Sequence, residues 1–291
     1  MHFVDAKGIL TGKNNTYGMN IYRGCTHGCI YCDSRSKCYN FTYPFEDIEV
    51  KQNAPELLDK ALRSKRQKSM IGTGSMSDPY MHCEEKLGLT RKCLEIILHH
   101  GFGATVITKS DRIMRDMDLL DAINQESKCV VQMTLTTYDD RLCSILEPNV
   151  CNTRRRVEVL QEMKARGIPT VVWLSPILPF INDTEKNVSS ILDACIDAGV
   201  KGIICFGMGL TLREGDREYF YSALDEHFPG LKQRYIRKYG NAYELRSPNE
   251  KELMALFNET CHKNQILSTP EACFSYIAEF PEKYQQMSFF G

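Results

Sequence analysis

Six short apolar runs, at residues 17–22, 69–72, 104–107, 129–135, 170–174 and 202–206, alternate with helical patterns at 54–66, 84–100, 112–126, 153–166 and 184–198. No other feature of the 291-residue chain constrains its fold as strongly. Strands separated by helices pair in parallel through right-handed crossovers. Boundary residues agree with the alternation: Asn53 stands at a cap position with Pro55 in the opening turn, and Gly101, Gly167 and Gly199 stand at helix ends. Six units rather than eight predict an α/β fold, a partial (β/α)6 TIM-like barrel, over residues 1–214. Residues 215–291 are predicted to form a C-terminal helical extension over the open side, with a turn at Pro229-Gly230 and a last helix at 249–262. No linker separates the two parts.

Apolar content of 43% and charged content of 25% allow a sizeable core. The net charge of −1 provides no global basic field, so nucleic acid is not favoured as a partner. No run of 18 apolar residues is present and the first residues lack a signal peptide's regions, so a cytoplasmic protein without a membrane span is expected. Of the 13 cysteines, Cys93, Cys129, Cys195 and Cys205 fall in apolar patterns and read as small buried hydrophobes. Such unpaired scatter fits a reducing compartment.

Three further cysteines, Cys25, Cys29 and Cys32, lie after the first strand in Tyr22-Arg-Gly-Cys-Thr-His-Gly-Cys-Ile-Tyr-Cys-Asp33. Their offsets would also suit one face of a helix, but Gly24, Thr26 and Gly28 make a poor helix interior. Three thiolates can converge on one inorganic centre, although cubane iron–sulfur clusters and closed zinc sites normally take four ligands. An iron–sulfur cluster bound by three cysteines keeps one metal corner open for chemistry. Zinc bound with His27 or Cys38 as fourth ligand is the other reading.

Chemistry in parallel α/β folds gathers at the C-terminal ends of strands, and the polar outliers of this chain fall there. After the second strand comes Gly72-Thr-Gly-Ser-Met-Ser-Asp-Pro-Tyr80, where Ser75, Ser77 and Asp78 read as ligand contacts or as an ordinary turn. After the third, Lys109 can pair with a ligand carboxylate or lie solvated at the rim. At the fourth, Thr134 and Thr136 alternate to one face, where they can bond ribose hydroxyls or simply express β-propensity. Backbone and apolar groups after the fifth and sixth strands can flank an adenine.

The cysteine spacing, with aromatic Tyr31 before the last cysteine, resembles the cluster loop of radical S-adenosylmethionine enzymes. That resemblance implies a 4Fe–4S cluster on Cys25, Cys29 and Cys32. It also implies S-adenosylmethionine chelated at the open iron and cleaved reductively to a 5′-deoxyadenosyl radical, with a reducing partner such as flavodoxin or ferredoxin. Tyr31, Ser75, Ser77, Asp78, Lys109, Thr134 and Thr136 would then surround the cosubstrate, with the methionine amino group at the Ser-Asp loop. Asn20 onward through the cysteine loop, Ser-Asp-Pro-Tyr80, Leu-Thr-Arg-Lys-Cys-Leu-Glu95, Ile-Thr-Lys-Ser110, Arg112, Arg115 and Asp116, and His227-Phe-Pro-Gly together resemble the spore photoproduct lyase family. Members of the wider family are mostly of unknown activity, whereas the lyase itself uses the radical to split a thymine dimer adduct in spore DNA. Two positions depart from it. Ser75 stands where the lyase has a hydrogen-donating cysteine, and Asp33 where it has a tyrosine; Cys83 is a nearby alternative thiol or a helix-end residue. Arg154-Arg-Arg156 and the basic residues of 232–238 read as solvated helix faces. The functional expectation is a radical S-adenosylmethionine enzyme, possibly a lyase, acting on an unidentified substrate. The alternatives are lyase-like DNA repair and a non-catalytic iron–sulfur or zinc binding module.

Overall fold

The computed structural model describes residues 1–13 and 16–281. Its strands, in chain order, are β1 (His2–Val4), β2 (Leu10–Lys13), β3 (Thr16–Met19), β4 (Tyr22–Arg23), β5 (Glu49–Lys51), β6 (Met70–Thr73), β7 (Gly103–Thr108), β8 (Cys129–Thr134), β9 (Thr170–Trp173), β10 (Gly202–Ile204), β11 (Gly209–Thr211) and β12 (Glu244–Arg246). In the main sheet β3, β6, β7, β8, β9 and β10 lie side by side, each parallel to the next. β2 pairs antiparallel on the outer edge of β3. All six expected strands are therefore present and in consecutive order. β8 is buried along its whole length, as a central parallel strand should be.

The first apolar run divides in two. The chain leaves the main sheet after Met19, and β4 pairs antiparallel with β5, which pairs parallel with β1 in a separate three-stranded sheet. The cysteine loop thus starts from this small sheet. Asn53 departs from its expected role as a side-chain cap: its amide instead brackets the backbone of Ala6, accepting from the N–H at 2.9 Å and donating to the carbonyl at 3.0 Å.

The helices are α1 (Ala54–Arg63), α2 (Glu84–Leu87), α3 (Leu89–His99), α4 (Met117–Glu126), α5 (Asp140–Leu146), α6 (Thr153–Ala165), α7 (Glu185–Asp197), α8 (Asp216–His227), α9 (Leu231–Tyr239), α10 (Glu250–Lys263) and α11 (Pro270–Ala278). α1 buries Ala54, Leu58 and Leu62 at four-residue intervals, the spacing that aligns side chains on one helical face. The expected single helix over 84–100 is broken at Gly88, whose φ of +61° closes α2. The buried Glu84 carboxylate accepts the Thr90 N–H at 3.1 Å and so begins α3. Cys93, Cys129, Cys195 and Cys205 are buried as expected.

Beyond residue 215, Phe220 and Leu224 of α8 and Tyr235 of α9 pack into one buried cluster with Cys29, Ile30 and Tyr31. α11, which the sequence reading missed, packs Cys273 and Ile277 against Val171 and Ile204.

Candidate cluster and cosubstrate site

Glycines shape the cysteine loop. Gly24 has φ +88°, and a Cβ there would lie 2.4 Å from the Phe45 carbonyl oxygen. That carbonyl accepts the Cys25 N–H at 3.2 Å. All three thiols are free and line one cavity of about 100 Å³ together with His27. Among the described residues no three potential ligand side chains are gathered for a single ion. A cubane spreads its thiolates around a cluster, whereas a zinc ion draws them into one tight shell. Cys38, the alternative zinc ligand, is exposed and lies outside the cavity wall.

Burial, and next the Asp78 charge, push the Cys25 thiol up to about 12, partly offset by the backbone N–H groups of His27 and Asp78. Burial also raises Cys29, against the Lys109 charge. Neutral thiols are thus favoured, and a bound iron centre would supply the positive charge that makes them thiolates.

The loop after β6 crosses β7 at Gly74, with φ +100°; a Cβ there would lie 2.0 Å from the Ile107 carbonyl oxygen. Ser75 lines the cysteine cavity and a larger one of about 550 Å³. Ser77 lines the smaller, but its hydroxyl already donates to the Tyr22 carbonyl at 2.7 Å. The Asp78 carboxylate accepts the Tyr80 N–H at 2.8 Å, the Thr108 hydroxyl at 2.7 Å and the Lys109 N–H at 2.8 Å, and lies 3.4 Å from His27 Nδ1. Burial lowers the His27 pKa to about 4, partly offset by Asp78, so this imidazole is neutral at neutral pH.

Lys109 lines both cavities, with its ammonium 5.8 Å from the Tyr31 ring centre. Among the described residues no carboxylate lies within 4.0 Å of it. Burial works against its charge, but Cys29, once ionised, and the Glu147 carboxylate outweigh that and hold its pKa above the ordinary lysine value. Thr134 also lines both cavities. Thr136 does not: it is fully buried and lies in neither wall. β8 ends at Thr134, so strand alternation no longer orients the residue two places on.

The larger cavity adds Trp173 and Phe206, from the segments expected to flank an adenine, and Glu244 and Arg246 of β12, a strand in the part expected to be helical and given no role there. Asp33 lines it too, and bonds the Tyr39 hydroxyl at 2.8 Å. Cys83 reaches neither cavity; it stands half-buried at the start of α2. Arg156 corrects the solvated-face reading. It is completely buried and paired at 2.5 Å with the equally buried Glu147, which accepts the Tyr31 hydroxyl. The usable signal was helical phase: Arg156, Leu160 and Met163 form one buried stripe of α6.

A parallel-sheet α/β chain with a three-cysteine loop at its strand ends is the framework of an enzyme with a metal cofactor. The family model of the radical SAM superfamily matches residues 19–192, and the chain belongs to that superfamily. Members of the superfamily use a 4Fe–4S cluster and S-adenosylmethionine and require a reductant. An uncharacterized protein of Mycobacterium tuberculosis is 27% identical over 244 residues, covering 82% of this chain and 71% of the relative. One of Methanocaldococcus jannaschii is 32% identical over 171 residues, covering 58% and 63%. In overall fold the chain is similar to a spore photoproduct lyase variant solved with bound AdoMet and dinucleoside spore photoproduct, with a TM-score of 0.62 at 13% identity over 87% of this chain and 75% of that one. No described helix is long and apolar enough to cross a membrane.

Proposed function

We propose that the chain holds its 4Fe–4S cluster on Cys25, Cys29 and Cys32 and cleaves S-adenosylmethionine reductively beside it, directing radical chemistry at a substrate in the larger cavity. The observation that carries this reading is that the two cavities adjoin, with Cys32, Ser75, Lys109 and Thr134 in the walls of both. The bound cluster and cosubstrate supply a 5′-deoxyadenosyl radical; the protein supplies position and exclusion of water. In this arrangement Lys109 pairs with the cosubstrate carboxylate. Asp78 has three of its acceptor positions filled by the protein and retains capacity for an ammonium. Ser75, Ser77 and Tyr31 form the near wall, Thr134 faces the ribose, and Trp173 and Phe206 flank the adenine. Thr136 has no place in the set, because it lines neither cavity.

The six parallel strands are read as a partial (β/α)6 barrel over residues 1–214, closed by helices of 215–291. A flavodoxin or ferredoxin is the proposed electron donor. Anaerobic reconstitution, reduction and addition of S-adenosylmethionine test the reading: 5′-deoxyadenosine no higher than from Cys29→Ala ends it.

Similarity to spore photoproduct lyase in fold favours one second reading, lyase-type repair of DNA. The hydrogen-donating thiol of that reaction has no counterpart here. Ser75 occupies its place in the sequence, and among the described residues only the three loop cysteines line the two cavities. Incubation with spore-photoproduct DNA decides between the readings, restored thymine supporting repair.

A further inference from the structure

Four hydrogen bonds seat the cysteine loop on the short segment 146–149. The Leu146 carbonyl accepts the Ile30 N–H at 3.0 Å, and the Asn149 N–H donates to the His27 carbonyl at 3.1 Å. The Asn149 side-chain amide donates to the Thr26 carbonyl at 2.8 Å. Glu147 accepts the Tyr31 hydroxyl. Gly28, with φ +73°, makes room for this seat, since a Cβ there would lie 3.1 Å from both Pro148 and Asn149.

The hydrogen-bonded chain then continues beneath the loop. Arg156 pairs with Glu147 and donates to the Thr134 carbonyl at 3.1 Å and, from a second nitrogen, to the Cys151 carbonyl at 2.8 Å. The Cys151 sulfur in turn lies 3.3 Å from the Lys109 carbonyl. One run of contacts, buried as far as Arg156 and part-buried at Cys151, thus joins Tyr31, on the cysteine side of the cavity, to the backbones of Thr134 and Lys109 on the other. A buried ion pair is a weak source of stability, and apolar side chains would fill the same space at least as well. What it does supply is fixed geometry, since the planar guanidinium fork admits few arrangements.

We propose that Glu147 and Arg156 are positioning residues. They hold Tyr31, and with it the stretch from Cys29 to Cys32, in register with Thr134 and Lys109, so that cluster and cosubstrate are received in one geometry. This rests on the three-cysteine cluster reading given above.

Tyr31→Phe, Glu147→Gln and the double variant test it after anaerobic reconstitution. The readouts are iron content, melting temperature, S-adenosylmethionine affinity and the electron paramagnetic resonance spectrum of the reduced cluster with and without cosubstrate. Tyr31→Phe is expected to keep wild-type iron content, to lose a few degrees of melting temperature, to bind S-adenosylmethionine roughly 10-fold more weakly, and to show a broadened cosubstrate-induced spectrum. Combining it with Glu147→Gln should cost less than the sum of the two single losses, because the variants share one hydrogen bond while Glu147→Gln also loosens Arg156. Unchanged affinity and spectrum in Tyr31→Phe overturn the proposal, also where Glu147→Gln does not fold, and so do additive losses. A wild-type protein that takes up no iron overturns the cluster reading and this proposal together. Normal loading with indifferent variants overturns only this one.

Discussion

Asp78 accepts the backbone N–H of Lys109 at 2.8 Å, so the carboxylate after one strand fixes the ammonium-bearing residue after the next. The same carboxylate also takes the Thr108 hydroxyl and the Tyr80 N–H. It therefore sets the spacing between two walls of the site whether or not a ligand is present.

Replacing Asp78 by asparagine keeps the shape but turns one acceptor into a donor facing N–H or O–H groups. A loss of about 2–3 kcal/mol in the stability of the metal-free protein is expected. Urea unfolding under anaerobic conditions measures it, and an unchanged midpoint would contradict the hub role.

Lys109 divides charge from bulk. Lys109→Met should leave iron content unchanged and weaken S-adenosylmethionine binding about tenfold, roughly 1.4 kcal/mol. Lys109→Arg should fall between, since a planar fork does not replace a compact ammonium in a fixed cavity. Equal affinity in all three proteins would remove Lys109 from the binding set.

Two glycines that both have positive φ separate crowding from torsional strain. Gly74 has φ +100° and its added Cβ would meet the Ile107 carbonyl at 2.0 Å, while Gly230 has φ +82° with nothing within 4 Å. Gly230→Ala should cost about 1 kcal/mol. Gly74→Ala should cost roughly 3 kcal/mol or more, because the loop itself must move. Melting temperatures of the two variants provide the comparison, and similar losses would mean the loop after β6 yields easily.

Asp216 gives a pH dependence. Burial, with a contribution from the Asp33 charge, raises its pKa from 3.8 to about 6, while the Arg213 N–H at 2.6 Å works the other way. A pKa raised on folding gives stability that is full below about pH 4 and is lost as pH climbs through 6. Asp216→Asn should therefore stabilise the fold at pH 7 by about 1–3 kcal/mol and flatten its pH profile between 4 and 7. Unfolding curves across that range test it; a variant less stable than wild type at pH 7 would refute it.

The parallel strands were legible because each carries an apolar run bounded by turn residues; the spacing marked the cysteines, and strand ends marked Ser75, Lys109 and Thr134, which line the cavity walls. Thr136 was misplaced by extending alternation past the last paired residue. Arg156 was misread by grouping it with Arg154 and Arg155 as a charge run, when its phase matched Leu160 and Met163 on the buried face of α6. Glu147 carries little local signal, since Tyr31 and Arg156 come from other elements and only the Cys143 thiol, at 3.7 Å, is near it in sequence. β1, β4 and β5 have three residues or fewer, too short for periodicity to register.

The seat beneath the cysteine loop also has a history within each molecule's synthesis. Tyr31 and Glu147 are 116 positions apart, so translation at ordinary rates makes the thiols on the order of ten seconds before the segment they rest on. During that interval the cysteines belong to a nascent peptide with no fixed spacing, open to oxidation and to stray thiophilic ions. The loop's packing partners Phe220, Leu224 and Tyr235 come later still, so a shaped acceptor for the cluster is expected only once α9 has been made.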